Sequence, residues 1–331
     1  MVIGIIGLSN ESGLGRLADD FYNHFDCNIL VLNHIKGQDK TKFKNAVYCT
    51  GIPTNEEITA LARESDLLLT FETPFNPNAY SIFKQFKKPT ICVTMYECMQ
   101  DNQWFWKDVD VFISCSLPDL QEISLKNKIY LPIPIDTERI KFIERSGKIR
   151  KILHNAGYMG FQGRNGTTEV IKFMRRYIND DIELKIRGQE EHNLFAYDKS
   201  DKRITLEAGE IDFDNLYSWG DLFFFPCRFN GLCLPIQEAL ASGLPVMTSD
   251  LIAWTGLIPK EWQIKTITPN NISYGKFIEV RKIDIDDALV KFEWFKNQDL
   301  KKLSHQAREI AEKRSWEVMK PKYEKLFKIL L

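Results

Sequence analysis

Glu238 is the side chain whose setting in the sequence most directly implies chemistry. It lies in the run Asp221–Asp250, where the apolar stretch Leu222–Phe225 is interrupted by Pro226–Gly231, followed by Pro235 and Gly243, and resumed at Val246–Thr248. An apolar run without alternation is the pattern of a parallel strand buried on both faces. Proline is favoured at the first position of a helix and glycine just past its end. The segment therefore reads as strand, turn, short helix, tight turn, strand. Such a unit sets loop N–H groups and a helix N-terminus at the carboxyl edge of a parallel sheet, where anionic ligands bind. The N–H groups of Gly231, Leu232 and Cys233 and the helix start at Pro235 are candidates to hold a diphosphate. Glu238, one turn inside the helix, can accept hydrogen bonds from the vicinal hydroxyls of a ribose. An ordinary βαβ unit with a solvated Glu is the plainer reading of the same residues.

Two further segments carry similar chemistry. Gly157-Tyr-Met-Gly-Phe-Gln-Gly-Arg-Asn-Gly166 follows a strand and precedes a helix expected to start near Thr167. Arg164 would there meet a helix N-terminus, and Arg187, at the end of the strand Ile182–Arg187, could point into the same space. A guanidinium gives paired charge-assisted bonds to phosphate oxygens; a surface arginine is the plain alternative for each. Near the start, Gly7-Leu-Ser-Asn-Glu-Ser-Gly-Leu-Gly-Arg16 also joins a strand to a helix, so Gly13, Leu14 and Gly15 can bring backbone N–H groups close to a ligand. Its spacing matches neither the dinucleotide fingerprint nor a P-loop. Asp284-Ile-Asp-Asp287 contains a D-x-D, but it immediately precedes a helix and reads as an N-cap cluster rather than a metal site.

The elements that must position these residues alternate regularly. Strands are expected at Val2–Gly7, Asn28–Leu32, Ala46–Cys49, Leu67–Thr70, Thr90–Thr94 and Val111–Ser114, then at Lys151–Ala156, Ile182–Arg187, Ile204–Ala208, Leu222–Phe225, Val246–Thr248 and Gln263–Ile267. Helices are expected at Leu14–His24, Glu56–Arg63, Pro77–Phe86, Thr167–Tyr177, Asp212–Trp219, Pro235–Ser242 and Ile285–Lys296. This alternation argues for an α/β fold with two doubly wound parallel sheets. The prolines at 132 and 134 and the polar stretch to Gly147 mark the boundary. Leu300–Leu331 is expected to be helical, with a break near Ser315 or Pro321, and to cross back over the first domain.

The 331 residues suit about two domains, and a formal net charge of −1 creates no global field for nucleic acid or membrane. Within Lys301–Lys328, nine Lys/Arg face four Glu, which reads first as a solvated face and second as a phosphate or DNA contact. The seven cysteines form no C-x-x-C pair and no metal-ligand cluster, as in buried thiols of a reducing compartment. No basic, apolar leader and no long apolar run is present, so no membrane span and a cytoplasmic location are expected.

Asp221–Asp250 resembles the nucleotide-sugar signature of GT-B glycosyltransferases, in particular the retaining GT4-like group. That group carries a Glu-x7-Glu element in a strand–turn–helix unit ending in A-x-G-x-P-V. Here Ala241-Ser-Gly-Leu-Pro-Val246 stands in register, Glu238 matches the second Glu, and Asn230 occupies the place of the first. Gly13-Leu-Gly-Arg16, Arg164-Asn-Gly166, Pro134-Ile-Asp136 and the pair Trp316 and Tyr323 resemble further family elements. Tyr96-Glu97 stands where the family often has His-Asp. The wording Gly231-Leu-Cys-Leu-Pro235, with Met95-Tyr-Glu-Cys98 upstream, looks closest to a phage branch whose members decorate hydroxymethylated bases in their own DNA.

The resemblance implies two Rossmann-like domains facing a cleft. Residues 1–140, with a returning helix at about 316–331, would form the acceptor side and 141–315 the nucleotide-sugar donor side. It implies transfer of a sugar from a nucleotide-diphosphate sugar to an acceptor hydroxyl with retention, with no metal and no other cofactor. DNA is one acceptor, and a glycan or small molecule the alternative. Arg164 and Arg187 would stabilise the diphosphate and Glu97 orient the acceptor, while Gly13, Leu14, Gly15, Asn165, Asn230, Gly231, Leu232, Cys233 and Glu238 would bind the donor. If phage-encoded, the protein would work in the host cytoplasm. A sugar-nucleotide epimerase, an inactive nucleotide-sugar binder and another doubly wound enzyme such as a dehydrogenase stay open as rivals.

Overall fold

Continuous runs of branched and aromatic residues become the centres of two parallel sheets in the computed structural model. It describes residues 1–33, 37–157, 163–179, 181–189, 200–209, 211, 215–273 and 277–331, with the backbone alone for 268–273. The chain divides into two compact units, Met1–Ile133 with Trp316–Leu331, and Pro134–Ser315.

In the first unit the strands are β1 (Ile3–Gly7), β2 (Cys27–Val31), β3 (Ala46–Tyr48), β4 (Leu67–Phe71), β5 (Thr90–Thr94), β6 (Val111–Ser114) and β7 (Lys128–Tyr130). They pair in parallel in the order β3-β2-β1-β4-β5-β6-β7. The central strands β1, β4 and β5 are buried along their whole length, which is why they read as mainly apolar runs without polar alternation. Crossover helices are α1 (Gly13–His24), α2 (Asn55–Glu64), α3 (Ala79–Gln85) and α4 (Leu117–Glu122). The entry to α2 is a capping box between Thr54 and Glu57.

The second unit repeats the plan with β8 (Lys151–Gly157), β9 (Glu183–Gly188), β10 (Ile204–Ala208), β11 (Leu222–Phe225), β12 (Val246–Ser249) and β13 (Gln263–Ile264). Their order is β10-β9-β8-β11-β12-β13, again parallel. Helices α5 (Thr167–Arg176), α6 (Leu234–Ala241), α7 (Ile285–Lys296) and α8 (Leu300–Glu312) belong to this unit, as does an antiparallel hairpin of β14 (Thr266–Ser273) and β15 (Phe277–Ile283). In both sheets the strand order reverses beside the first strand, at β1/β4 and at β8/β11. Loops leaving the carboxyl ends of strands at such a reversal diverge and leave a crevice where ligands bind.

Several expectations are corrected. Strand β7, helix α4 and the β14/β15 hairpin were not anticipated, and the strand expected over Gln263–Ile267 is split between β13 and the hairpin. Of the helix expected over Asp212–Trp219, residues 212–214 lie outside the described residues, and the rest is a turn closed by Ser218 N–H donating to Asn215 O (3.3 Å). Residues 158–162 of the glycine-rich loop after β8 also lie outside the described residues. The C-terminal break falls between Glu312 and Trp316; α9 (Trp316–Leu330) runs on through Pro321. Among the described residues no helix is long and apolar enough to cross a membrane. All seven cysteines are thiols.

Helix α9 is part of the first unit because aromatic rings bind it to α1. Phe21 packs edge-on to Trp316 (centroids 5.0 Å) and Tyr323 (5.2 Å), and tilts against Phe71 on β4 (5.2 Å). His24 stacks on Trp316 at 4.0 Å, and Tyr323 Oη donates to Pro132 O (3.2 Å). Phe21→Ala opens a cavity at the centre of this cluster. It is expected to destabilise the first unit by roughly 3–5 kcal/mol, measured by equilibrium denaturation followed through tryptophan fluorescence; a loss below about 1 kcal/mol would show that the cluster does not hold α9 in place.

Candidate functional site

The second unit gathers its candidate residues around the β8/β11 reversal. The loop Gly163–Gly166 enters α5 through Gly166, which has φ 74° and lies so near β11's exit that a Cβ there would stand 2.2 Å from the Pro226 carbonyl oxygen. Only glycine fits both the left-handed conformation and that approach. The loop is pinned from both sides: Asn165 Nδ2 donates to Ala156 O (2.9 Å), and Arg228 N–H donates to Arg164 O (2.8 Å). Arg228, which the sequence reading did not single out, lies over the loop, since a Cβ at Gly163 would come within 2.9 Å of its Nη1. Arg164 is the basic group at the start of α5, and its charge reaches the Cys233 thiol at the start of α6. Burial first, and the neighbouring Cys227 second, push that thiol well above its ordinary value against the Arg164 charge.

The turn before α6 is closed by Asn230. Its Oδ1 accepts from the N–H groups of Leu232 (3.0 Å) and Cys233 (2.8 Å). These two amides, expected at a diphosphate, donate to the buried side-chain oxygen of Asn230, which closes the turn. The short asparagine side chain places its amide oxygen within reach of the amides two and three residues on, a local turn that asparagine favours. Cys233 follows in the left-handed region (φ 45°), a costly conformation for a residue with a Cβ. Helix α6 begins at Leu234, one residue before the expected Pro235. Glu238 is one turn inside it, 5% exposed, and accepts from Tyr217 Oη at 2.6 Å.

Arg187 has protein partners. Its Nε donates to Glu207 Oε2 (2.6 Å) on β10, and its Nη1 to the carbonyls of Asn215 (3.1 Å) and Leu216. The guanidinium expected at a diphosphate thus holds the turn that carries Tyr217. Sequence reasoning missed Tyr217 because it precedes the β11 run and sits 21 positions from Glu238.

His154 on β8 was also not singled out. It is fully buried, with Nδ1 donating to Phe224 O (2.8 Å), since a carbonyl only accepts, and Nε2 accepting from Thr167 Oγ1 (2.8 Å). Burial lowers its pKa to about 4. Asp284 caps α7, accepting from the N–H groups of Asp286 and Asp287 (2.9 and 3.3 Å).

In the first unit, Ser12 caps α1 by accepting from Gly15 N–H (3.3 Å), and leaves the Gly13 and Leu14 amides at the first turn to other acceptors. Gly15 is required there, because a Cβ would lie 2.0 Å from Asn10 O. Glu97, beyond β5, is buried (2% exposed) beside Asp119 of α4 (0%). Asp119 accepts from Tyr96 N–H (2.6 Å) and the Cys115 thiol (3.3 Å). Burial, then the Glu97 charge, raise its carboxyl to about 7. The readable signal for Asp119 was Ser116-x-x-Asp119, a capping pattern. Gly13, Leu14, Gly15 and Glu97 thus belong to one unit, and Arg164, Asn165, Arg187, Asn230–Cys233 and Glu238 to the other.

Residues 151–268 match the family model of glycosyl transferases, group 1. No match was found among curated proteins. Solved structures share the whole fold at low identity. A glycosyltransferase from Rickettsia africae superposes with a TM-score of 0.71 at 11% identity, covering 99% of this chain and 98% of that one. Anabaena Alr3699/HepE, solved in complex with UDP-glucose, gives 0.69 at 12%, covering 98% and 99%. Sucrose-phosphate synthase from Thermosynechococcus elongatus gives 0.65 at 12%, covering 100% and 99%. The fold is GT-B: α/β, with two Rossmann-like parallel-sheet domains.

The two buried titrations oppose each other. His154, lowered to about 4, contributes stability that is present above its unfolded value of 6.5 and lost as pH falls through 4. Asp119, raised from 3.8 to about 7, contributes stability that is fully present below 3.8 and lost as pH rises through 7. Each amounts to on the order of 3 kcal/mol. Denaturant titrations from pH 4 to 8 should show the second unit gaining stability with pH and the first losing it. Asp119→Asn should abolish the loss in the first unit; an unchanged slope would contradict the assignment.

Proposed function

We propose that the protein is a glycosyltransferase that moves a sugar from a nucleoside-diphosphate sugar to an acceptor hydroxyl with retention of anomeric configuration. The observation that carries this reading is Glu238. It is a buried carboxylate held one turn inside α6, in the segment that matches the group 1 family, next to the strand-order reversal of the second sheet. A carboxylate so placed accepts hydrogen bonds from vicinal ribose hydroxyls. The diphosphate would lie at the first turn of α5, where unfulfilled N–H groups and the helix dipole favour negative charge, with Arg164 beside it. Binding of UDP-glucose by Anabaena Alr3699/HepE supports the same ligand class.

In the proposed reaction the bond between the anomeric carbon and the diphosphate oxygen breaks, and the acceptor oxygen bonds to that carbon from the same face. The acceptor's proton passes to the departing diphosphate oxygen. The protein's main task is to stabilise charge that grows on the diphosphate. Arg164 and the α5 N-terminus do this without a metal; transfer abolished by EDTA would overturn that part. Gly13, Leu14 and Gly15 would contribute to donor binding, and Glu97, a buried carboxylate, would orient the acceptor hydroxyl. For the acceptor, the resemblance of Met95–Cys98 and Gly231–Pro235 to phage enzymes supports a hydroxymethyl group on a DNA base, with a glycan as the alternative.

Glu238→Ala should weaken nucleoside-diphosphate binding by roughly 10- to 100-fold, the worth of hydrogen bonds to a charged group. Arg164→Ala should lower kcat by about 100-fold or more. Mass spectrometry of donor hydrolysis and of transfer to hydroxymethylated DNA or glycans reads both effects. Full activity in either variant would sink the assignment of that residue.

A further inference from the structure

Glu238 is one link in a buried set of polar contacts. Tyr217 Oη donates to Glu238 Oε2 at 2.6 Å, a short charge-assisted bond, and Tyr217 is 3% exposed. Its oxygen in turn accepts from Asn155 Nδ2 on β8 (3.4 Å), while Asn155 Oδ1, also buried, has no hydrogen-bond partner among the described residues. The tyrosine ring stands edge-on to Phe223 of β11 (5.7 Å, 81°), which fixes its plane.

The backbone that presents Tyr217 is held from both sides by buried cations. Arg187 Nη1 donates to the carbonyls of Asn215 and Leu216, and Arg145 Nη2 donates to the carbonyl of Tyr217 itself (2.5 Å). Three consecutive carbonyls of one turn are thus satisfied by two arginines, and that turn carries the phenol that grips Glu238. A flexible glutamate that must be ordered by its ligand loses side-chain entropy on binding. One already fixed by a bond to a rigid phenol does not, and preorganisation of this kind appears as affinity.

We propose that Tyr217 is a positioning residue that sets the Glu238 carboxylate for the vicinal hydroxyls of a donor ribose, and that Arg145 and Arg187 act on donor recognition only through it. The inference rests on the donor-site reading given above. A purely structural Tyr–Glu bond would affect folding but not discriminate between ribose and deoxyribose.

The test is calorimetric. Dissociation constants are measured for the ribonucleoside diphosphates of uracil, guanine and adenine and for their 2′-deoxy counterparts. The wild-type chain should favour at least one ribo form over its deoxy form by about tenfold or more. Tyr217→Phe should bring that ratio close to unity, the ribo form losing more affinity than the deoxy form, which has only the 3′-hydroxyl to offer Glu238. In a Glu238→Ala background, Tyr217→Phe should change nothing further, because the two residues act as one unit. A Tyr217→Phe chain that keeps the wild-type ratio overturns the proposal. A wild-type chain that binds no ribonucleotide fails at the earlier step and overturns the donor-site reading itself. If Tyr217→Phe does not fold, Arg187→Lys gives the same readout: a lysine cannot reproduce the guanidinium's spread of donors across Glu207 and the two carbonyls. Its ratio should fall, the ribo form losing more affinity than the deoxy form, and an unchanged ratio overturns the proposal.

Discussion

The guanidinium of Arg145 is the constraint on which the second unit turns. Buried to 5% exposure, it donates to Ile143 O (2.5 Å), Ser242 O and Tyr217 O (2.5 Å), while its own backbone N–H donates to Ser304 Oγ (3.1 Å). Burial draws its pKa down to about 10, so it stays charged at neutral pH. A buried cation is tolerable only when its donors are satisfied, and here backbone carbonyls satisfy them. Those carbonyls come from the chain entering the unit, the end of α6 and the Tyr217 turn. The carbonyl of Ser242 also lies at the negative end of α6, where a cation is favoured.

Helix α6 is consequently fixed at both ends. Asn230 gathers the two amides before its first turn, and Cys233 accepts a left-handed conformation so that the chain can enter the helix at that angle. At the far end Gly243 has φ 76°, and a Cβ there would meet the Phe142 ring at 2.5 Å. A helix held this way keeps Glu238 at a constant height above the sheet. The carboxylate's direction is then set by Tyr217. Strain and buried charge concentrate around this one acidic side chain, as they do where a structure must keep a group ready for a ligand.

Much of the fold was legible because central parallel strands are buried on both faces and are therefore mostly apolar: β1, β4, β5 and β11 declare themselves, and β8 does so despite its buried His154 and Asn155. The elements that escaped are those where burial is partial. Strand β7 is three residues at a sheet edge, with Tyr130 exposed. In β15, exposed and buried residues largely alternate, a pattern too short to separate from loop. Strand order, which sets where the crevices form, is not written in local periodicity at all. Among candidate residues, the positions of Glu238 inside α6 and of the glycines at the α5 entry were readable because they depend on local structure alone. Arg187 was placed correctly at the end of β9, but the direction of its side chain depends on Glu207 and on carbonyls 215 and 216, which no spacing rule connects to it. Asn230, read from the sequence as a donor contact, also closes its own turn through bonds two and three residues on. Tyr217 and Asp119 matter through partners distant in sequence, so only three-dimensional structure reveals them.

The most direct test of the central claim is a crystal structure of this chain with a nucleoside diphosphate bound. The account predicts ribose hydroxyls within hydrogen-bond distance of the Glu238 carboxylate and the diphosphate against the first turn of α5 beside Arg164, with the Tyr217–Glu238 bond retained. A nucleotide bound elsewhere, or one whose ribose points away from Glu238, would contradict it.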